Sequence, residues 1–223
     1  RVADLQARKR ADESPIHPYR VCGAIDRATD DTTVLVADGG DALSFGRVAL
    51  PSRGPRGYLD PGPMGCIGSG LPFAVGVAST RADASVVCFT GDGALGFNVM
   101  ELETIARREL DVTVVVSNNG AWNIERQGMR ENFGVTVETG FADVRYDEVA
   151  AGMGVPSARV TDVTDLDATV RDAVTAPGPS LVDVVVDPEA VSPDTKRGLA
   201  DVPDYQALEV WDAMEREQRE RTD

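Results

Sequence analysis

The sequence predicts an α/β fold, a doubly wound parallel sheet with helices on both faces. Three observations carry this expectation. Short runs that are apolar at every position, not at alternate ones, recur along the chain, and strands of that kind lie inside a parallel sheet covered on both sides. Segments with helical spacing separate these runs, as crossovers between parallel strands require. Glycine-rich and acidic turns follow the runs at residues 38–41, 91–93 and 118–121, the place where open α/β sheets hold their ligands.

The elements follow in order. Residues 1–14 are polar and charged and read as an exposed helix or the end of a linker; Pro15, His17 and Pro18 then mark a start. Residues 19–28 have helical spacing, with Val21, Ala24, Ile25 and Ala28 on one face. Residues 33–37 form a short buried strand that runs into Asp38, Gly39, Gly40 and Asp41. A loop rich in Gly, Pro and Arg spans 51–62, and the small apolar residues of 64–80 suit a helix packed closely on a sheet. A strand at 85–90, a helix at 98–109 and a strand at 112–117 come next. The polar stretch 125–139, with Gly128 and Gly134, reads as a candidate mobile loop. A helix at 146–153, a brief strand at 158–160, a helix at 166–175 and an apolar strand at 181–186 complete the alternation. Residues 204–221 read as a terminal helix bearing Trp211 and Met214. The expected organisation is a linker end (1–14), one binding domain (15–200) and a C-terminal helix (201–223).

Bulk properties narrow the function. The 223 residues, 42% hydrophobic, suffice for one such domain. The net charge of −15 argues against a nucleic-acid partner, because phosphate backbones want a basic face. No apolar run approaches the roughly 20 residues of a membrane helix, so the expected location is the cytoplasm. Cys22, Cys66 and Cys88 stand far apart with no paired spacing, which argues against a structural zinc or iron–sulfur site.

The chemistry is concentrated in residues 91–125. Gly91, Gly93 and Gly96 follow a strand and open a helix, which matches the dinucleotide fingerprint. Asp111 stands at about the right distance for the ribose acid, but it precedes its strand where that acid should follow one. Asp92 also aims a carboxylate into the diphosphate site, which is repulsive unless a cation intervenes. With magnesium in between, the same carboxylate becomes a ligand. Asn119 offers a second oxygen, and a backbone carbonyl after it a third. Gly93 lets the backbone approach the phosphates, and the helix start behind it favours their charge. No P-loop motif is present.

Gly91-Asp92-Gly93 followed by Asn118-Asn119, 27 and 28 residues after the first glycine, resembles the signature of thiamine-diphosphate enzymes. Gly62-Pro63-Met64-Gly65 is similar to the family turn that supports the thiamine pyrimidine. Residues 17–200 look like the diphosphate-binding domain of the acetolactate synthase-like branch, with 2-hydroxyacyl-CoA lyases alongside; the segments around VADGGD, RGYLDPGPMGCIGSG and NNGAWNIE carry the likeness. The resemblance implies thiamine diphosphate and magnesium as cofactors. It implies that Asp92, Asn119 and the Ala121 carbonyl bind the metal, and that Gly91, Gly93, Ala94 and Ile124 lie against the diphosphate. Many relatives carry Ser or Thr where this chain has Ala94. Gly39, Gly40 and Asp41 resemble the loop beside the diphosphate on the first strand. By the same likeness the Gly62 carbonyl accepts from the pyrimidine amino group, and Met64 is the apolar wedge that bends the cofactor. Glu125 matches a proton-shuttling glutamate of decarboxylase relatives, while Trp122 and Asn123 are candidates for shaping the acceptor pocket. Arg53, Arg56 and Tyr58 are candidates for reaching a substrate carboxylate or thioester.

The implied substrates are 2-oxo acids or acyl-CoA-type thioesters, with a carbon–carbon bond made or broken next to a carbonyl. Full-length relatives place a pyrimidine-binding domain and a middle domain before this one, and the former carries the activating glutamate. The expected partner is therefore a pyrimidine-binding domain or chain, in a homo- or hetero-oligomer. Two other readings stand beside this one: the diphosphate-binding subunit of a split 2-oxo acid decarboxylase, and a non-catalytic assembly module that kept the fold.

Overall fold

The computed structural model describes residues 2–81 and 83–197, so the terminal helix expected at 204–221 lies outside the described residues. Six strands form one sheet: β1 (Val34–Asp38), β2 (Tyr58–Leu59), β3 (Val86–Gly91), β4 (Val112–Asn118), β5 (Ser157–Val160) and β6 (Ser180–Val185). Their order is β2-β1-β3-β4-β6-β5, and every pairing is parallel. Nine helices connect them among the described residues: α1 (Val2–Arg8), α2 (Pro18–Ala28), α3 (Asp41–Ala49), α4 (Gly70–Thr80), α5 (Asp92–Phe97), α6 (Glu101–Arg107), α7 (Asn123–Phe133), α8 (Tyr146–Gly152) and α9 (Val163–Thr175). None is long and apolar enough to cross a membrane.

The runs without alternation acquire their meaning here, because each strand feeds two cores at once. On β4, Val112, Val114 and Val116 face one side, against α4, α6 and α8, and Val115 faces the other, against α2, α3 and α9. On β6, Leu181 joins the first cluster while Val182 and Val184 join the second. Each such side chain, fully buried, contributes about 1.5–3 kcal/mol. The chain leaves β1 outward to β2, then returns to build β3 and β4 on the other side. That reversal opens a crevice beyond the carboxyl ends of β1 and β3.

Local readings needed three corrections. The stretch 125–139 is not a loop throughout: α7 takes its first half and ends at Gly134, which is left-handed at φ 69°. Its residues bury little, and Gly128 breaks the pattern, yet Glu, Arg, Gln and Met are good helix formers and Gly134 supplies the stop. The helix expected at 64–80 begins only at Gly70, and the one expected at 98–109 shortens to α6, with the separate short helix α5 before it. α3 was not anticipated; Gly46 interrupts its apolar pattern and allows close packing on Ala37 and Phe89.

The segment after α1 is pinned to the domain. Lys9 is buried, pairs with Asp26 and donates to the Ala49 carbonyl at 3.0 Å. Arg53 holds the same aspartate at 2.6 Å. The backbone of Lys9 lies directly over Gly23, where a Cβ would overlap its carbonyl oxygen. Gly23→Ala is therefore expected to destabilise the chain by about 1–3 kcal/mol in urea unfolding. Gly76→Ala, in the exposed face of α4 with open space around it, is expected to be neutral or to stabilise by up to about 1 kcal/mol.

Candidate functional site

Three strand ends and three helix starts converge on the crevice. β1 leads through Gly39 and Gly40 into α3, β3 leads directly into α5, and β4 leads through residues 119–122 into α7. The first N–H groups of a helix have no intrahelical acceptor, so they favour an anion placed among them. The resulting cleft measures about 330 Å³. Gly39, Gly40, Asp41, Gly91, Asp92, Gly93, Ala94, Asn119, Ala121, Ile124 and Glu125 all line it.

Missing side chains keep this space open. A Cβ on Gly40 would stand 2.7 Å from the Ile124 Cγ2, and one on Gly93 would overlap the Trp122 ring. Gly39 adopts φ +108°, a conformation that L side chains avoid, and packs against the Gly91 nitrogen.

Asp92 is buried at the centre. Its Oδ1 accepts from the Gly93 N–H at 2.9 Å and its Oδ2 from the Gly120 N–H at 2.7 Å. Burial pushes its pKa from the ordinary 3.8 up to about 6, against the lowering effect of these backbone donors. Asn119 is half-buried, and its Oδ1 accepts from the Ala121 N–H at 3.1 Å, which leaves one lone pair. The charges lining the cleft are the carboxylates of Asp41, Asp92, Glu125 and Asp194 and the guanidinium of Arg47, itself held by Asp60 at 2.8 Å. An acid-rich lining of this kind repels a diphosphate on its own. A hard divalent cation held by a carboxylate, a carboxamide and a carbonyl oxygen meets both demands, so the donor set fits magnesium. Among the described residues no group of three or more His, Cys, Asp or Glu side chains is placed to hold a metal.

Asp41 is held by the protein through its Oδ2. Asn123 donates to it at 2.6 Å, and Asn123 in turn accepts from Arg126 at 2.9 and 2.6 Å. Burial raises the Asp41 pKa, opposed by Ser192, Asn123 and Arg126. This joint ties the starts of α3 and α7 together. Glu125 lies exposed in the first turn of α7 and reaches the cleft. Gly62 and Met64 do not line the cleft. The Gly62 carbonyl accepts from Gly65 and Arg47, and Met64 is 80% exposed, while the neighbouring Gly65 and Ile67 are part of the wall. Arg53 turns away to Asp26. Sequence reasoning missed Ser117, Leu43, Arg47, Ile67 and Asp194 in the lining. The signal for Ser117 was its place at the end of a strand beside Asn118; Asp194 arrives from 150 residues beyond Ser44, to which its N–H donates, and carries no local signal.

Fold and site together define a cofactor-binding α/β domain, in which a switch-point crevice offers N–H groups to an anion and oxygen donors to a hard cation. The chain belongs to the thiamine pyrophosphate enzymes: the family's C-terminal TPP-binding domain matches residues 38–184. It is 32% identical over 196 residues to the large subunit of acetolactate synthase isozyme 1 from Escherichia coli, covering 84% of this chain and 34% of that protein. It is 33% identical over 192 residues to a probable acetolactate synthase of Mycobacterium bovis, covering 85% and 35%. It is 34% identical over 139 residues to 2-hydroxyacyl-CoA lyase 2 of Bos taurus, covering 62% and 22%. The chain thus spans about a third or less of the length of these curated relatives.

The raised pKa of Asp92 has a definite sign. The fold favours the protonated carboxyl, so without a cation its contribution to stability falls as pH rises from 3.8 to about 6 and stays low above that. A displacement of that size costs the folded chain on the order of 3 kcal/mol at neutral pH. Carbon-13 NMR of the Asp92 carboxyl in the ligand-free chain is expected to show a midpoint near pH 6. A midpoint near 4 would contradict the burial argument.

Proposed function

We propose that this chain is the thiamine-diphosphate- and magnesium-binding domain or subunit of an acetolactate synthase-like carboligase or lyase. Its substrates are 2-oxo acids or 2-hydroxyacyl thioesters, and a pyrimidine-binding domain or chain completes the site within an oligomer. One observation carries the reading: a desolvated carboxylate, Asp92, stands among three helix starts with the Asn119 carboxamide on the adjoining strand end.

In this reading Asp92, Asn119 and the Ala121 carbonyl hold the cation, and the cation offsets the charge that burial makes costly. The backbone at Gly91, Gly93, Ala94 and Ile124 would hold the diphosphate, together with Gly39, Gly40 and the anchored Asp41. Gly62 and Met64, on the turn next to the wall, would support the pyrimidine end. Thiamine diphosphate supplies nucleophilic and electron-sink chemistry at a carbonyl carbon. The chain's part is to orient that chemistry and exclude water. Glu125, exposed at the mouth, holds or moves a proton at the substrate. Trp122 forms the floor over Gly93, held edge-on by Phe97 and Phe141 with centroids 6.0 and 5.0 Å away.

Calorimetric titration of thiamine diphosphate, with and without magnesium, tests the reading. Binding is expected to require magnesium and to vanish in Asp92→Ala. Magnesium-independent binding, or full binding by Asp92→Ala, would refute the cation site. Because a proton competes for Asp92, magnesium affinity is expected to be flat above pH 7 and to fall about tenfold per pH unit well below 6.

A further inference from the structure

Asp183 is a carboxylate in a place made for an aliphatic side chain. It sits in the middle of β6, in the run Ser180–Val185, and is 0% exposed. It pairs across the sheet with Arg159 on β5 and Val116 on β4. Asn118 lies two residues beyond Val116 and therefore on the same face of the sheet, diagonal to Asp183. Three polar side chains on three neighbouring strands thus meet inside an apolar layer.

Their bonds run in one direction. Arg159 donates to Asp183 Oδ2 at 3.2 Å, and Asn118 Nδ2 donates to Asp183 Oδ1 at 3.0 Å. The backbone N–H of Tyr146 adds a third donor to the same carboxylate. With its amide nitrogen so held, Asn118 turns its Oδ1 to the Gly120 N–H at 3.2 Å. That N–H is the one that also grips Asp92 at 2.7 Å. Arg159 reaches further, to the Val144 carbonyl at 3.1 Å and Asp143 at 2.5 Å, and so holds the segment that bridges back to Ala121 through Gly140. A buried ion pair gives little net stability, since apolar residues of equal volume serve as well or better. The geometry gives the cluster another use.

We propose that Asp183 is a positioning residue for the cation site: through Asn118 it fixes the Gly120 N–H on Asp92 and so sets how Asp92 and Asn119 face each other. The inference rests on the cofactor reading above and adds a residue 64 positions beyond Asn119 that touches neither metal nor cofactor.

Asp183→Asn is the test, because it keeps the volume but sets an NH2 group among three donors. Magnesium affinity, measured by calorimetry at saturating thiamine diphosphate, is expected to fall about 10- to 100-fold. Hydrogen exchange at the Gly120 amide in the ligand-free chain is expected to accelerate, with exchange on β1 and β3 unchanged. Arg159→Lys, at the sheet edge, keeps the charge and loses the fork; a smaller change in the same direction is expected, and it carries the test if Asp183→Asn does not fold. Asp165→Asn, on the exposed face of α9, should change neither readout. If these variants only lower the unfolding temperature while Gly120 exchange and magnesium affinity match the unaltered chain, the proposal is overturned. If the unaltered chain binds neither ligand, the cofactor reading fails and Gly120 exchange alone decides the positioning role.

Discussion

The site depends on how one carboxylate is held. Asp92 bonds through one oxygen to the N–H of Gly93, in its own helix, and through the other to the N–H of Gly120, in the turn after the neighbouring strand. A charge taken out of water is costly unless donors meet it. Two backbone donors meet this one only in part, as its raised pKa shows. The bonds lock the carboxyl ends of β3 and β4 to each other. The second also needs Gly120 at φ +66°, where any other residue is strained. The two short motifs that flank the cleft are therefore halves of one junction, and their spacing in sequence is the length of chain needed to leave β3, cover the sheet with α5 and α6, and return along β4.

The same device recurs elsewhere along the sheet. Asp38 closes β1 and accepts from Gly39 at 2.7 Å, Gly68 at 3.2 Å and Gly70 at 2.7 Å. A Cβ on Gly70 would stand 2.7 Å from the Asp38 Cβ, so the glycine is what lets the loop reach the carboxylate. Asp41 and Asp183 are held by side chains instead, through Asn123 and through Asn118 with Arg159. Buried carboxylates that bind backbone or carboxamide N–H groups are rigid joints, since breaking any one leaves a charge without partners. Joints of this kind fix the loops of the cleft before a ligand arrives, which lowers the ordering cost of binding.

The sheet and the junction were legible in the sequence because their signals are local and physical. Strands buried on two faces have no polar alternation to hide, and Asp92 and Asn119 stand at strand ends where a carboxylate and a carboxamide have no structural excuse. α7 was not legible: a helix that buries almost nothing shows no apolar stripe, and it is held instead by Arg126 and Arg130 reaching residues 188 and 189. The roles of Asp41, Asp183 and Asp194 were equally hidden. Each depends on a partner on another element, 82 residues away for Asp41, 65 for Asp183 and 150 for Asp194, and no periodicity announces such a pairing.

The division between binding and activity follows from where the polar joints stop. They are dense at the end of the cleft formed by Asp38, Asp41, Asp92 and Asn118; the turn that carries Gly62 is tied at its base, where Asp60 accepts from the Gly62 N–H at 2.7 Å and pairs with Arg47, while Met64 at its tip is 80% exposed. Near the junction, Phe97 and Met100 are 61% and 65% exposed. A domain organised in this way holds the charged end of a ligand by its own rigid parts and leaves the other end to be enclosed by something else. On the proposed reading, anchoring the cation and the diphosphate would fall to this chain, and turnover, which needs a dry and closed pocket around the reacting carbon, to the assembly it joins. In the relatives, which are about two and a half to three times as long, the greater part of each lies outside the matched region.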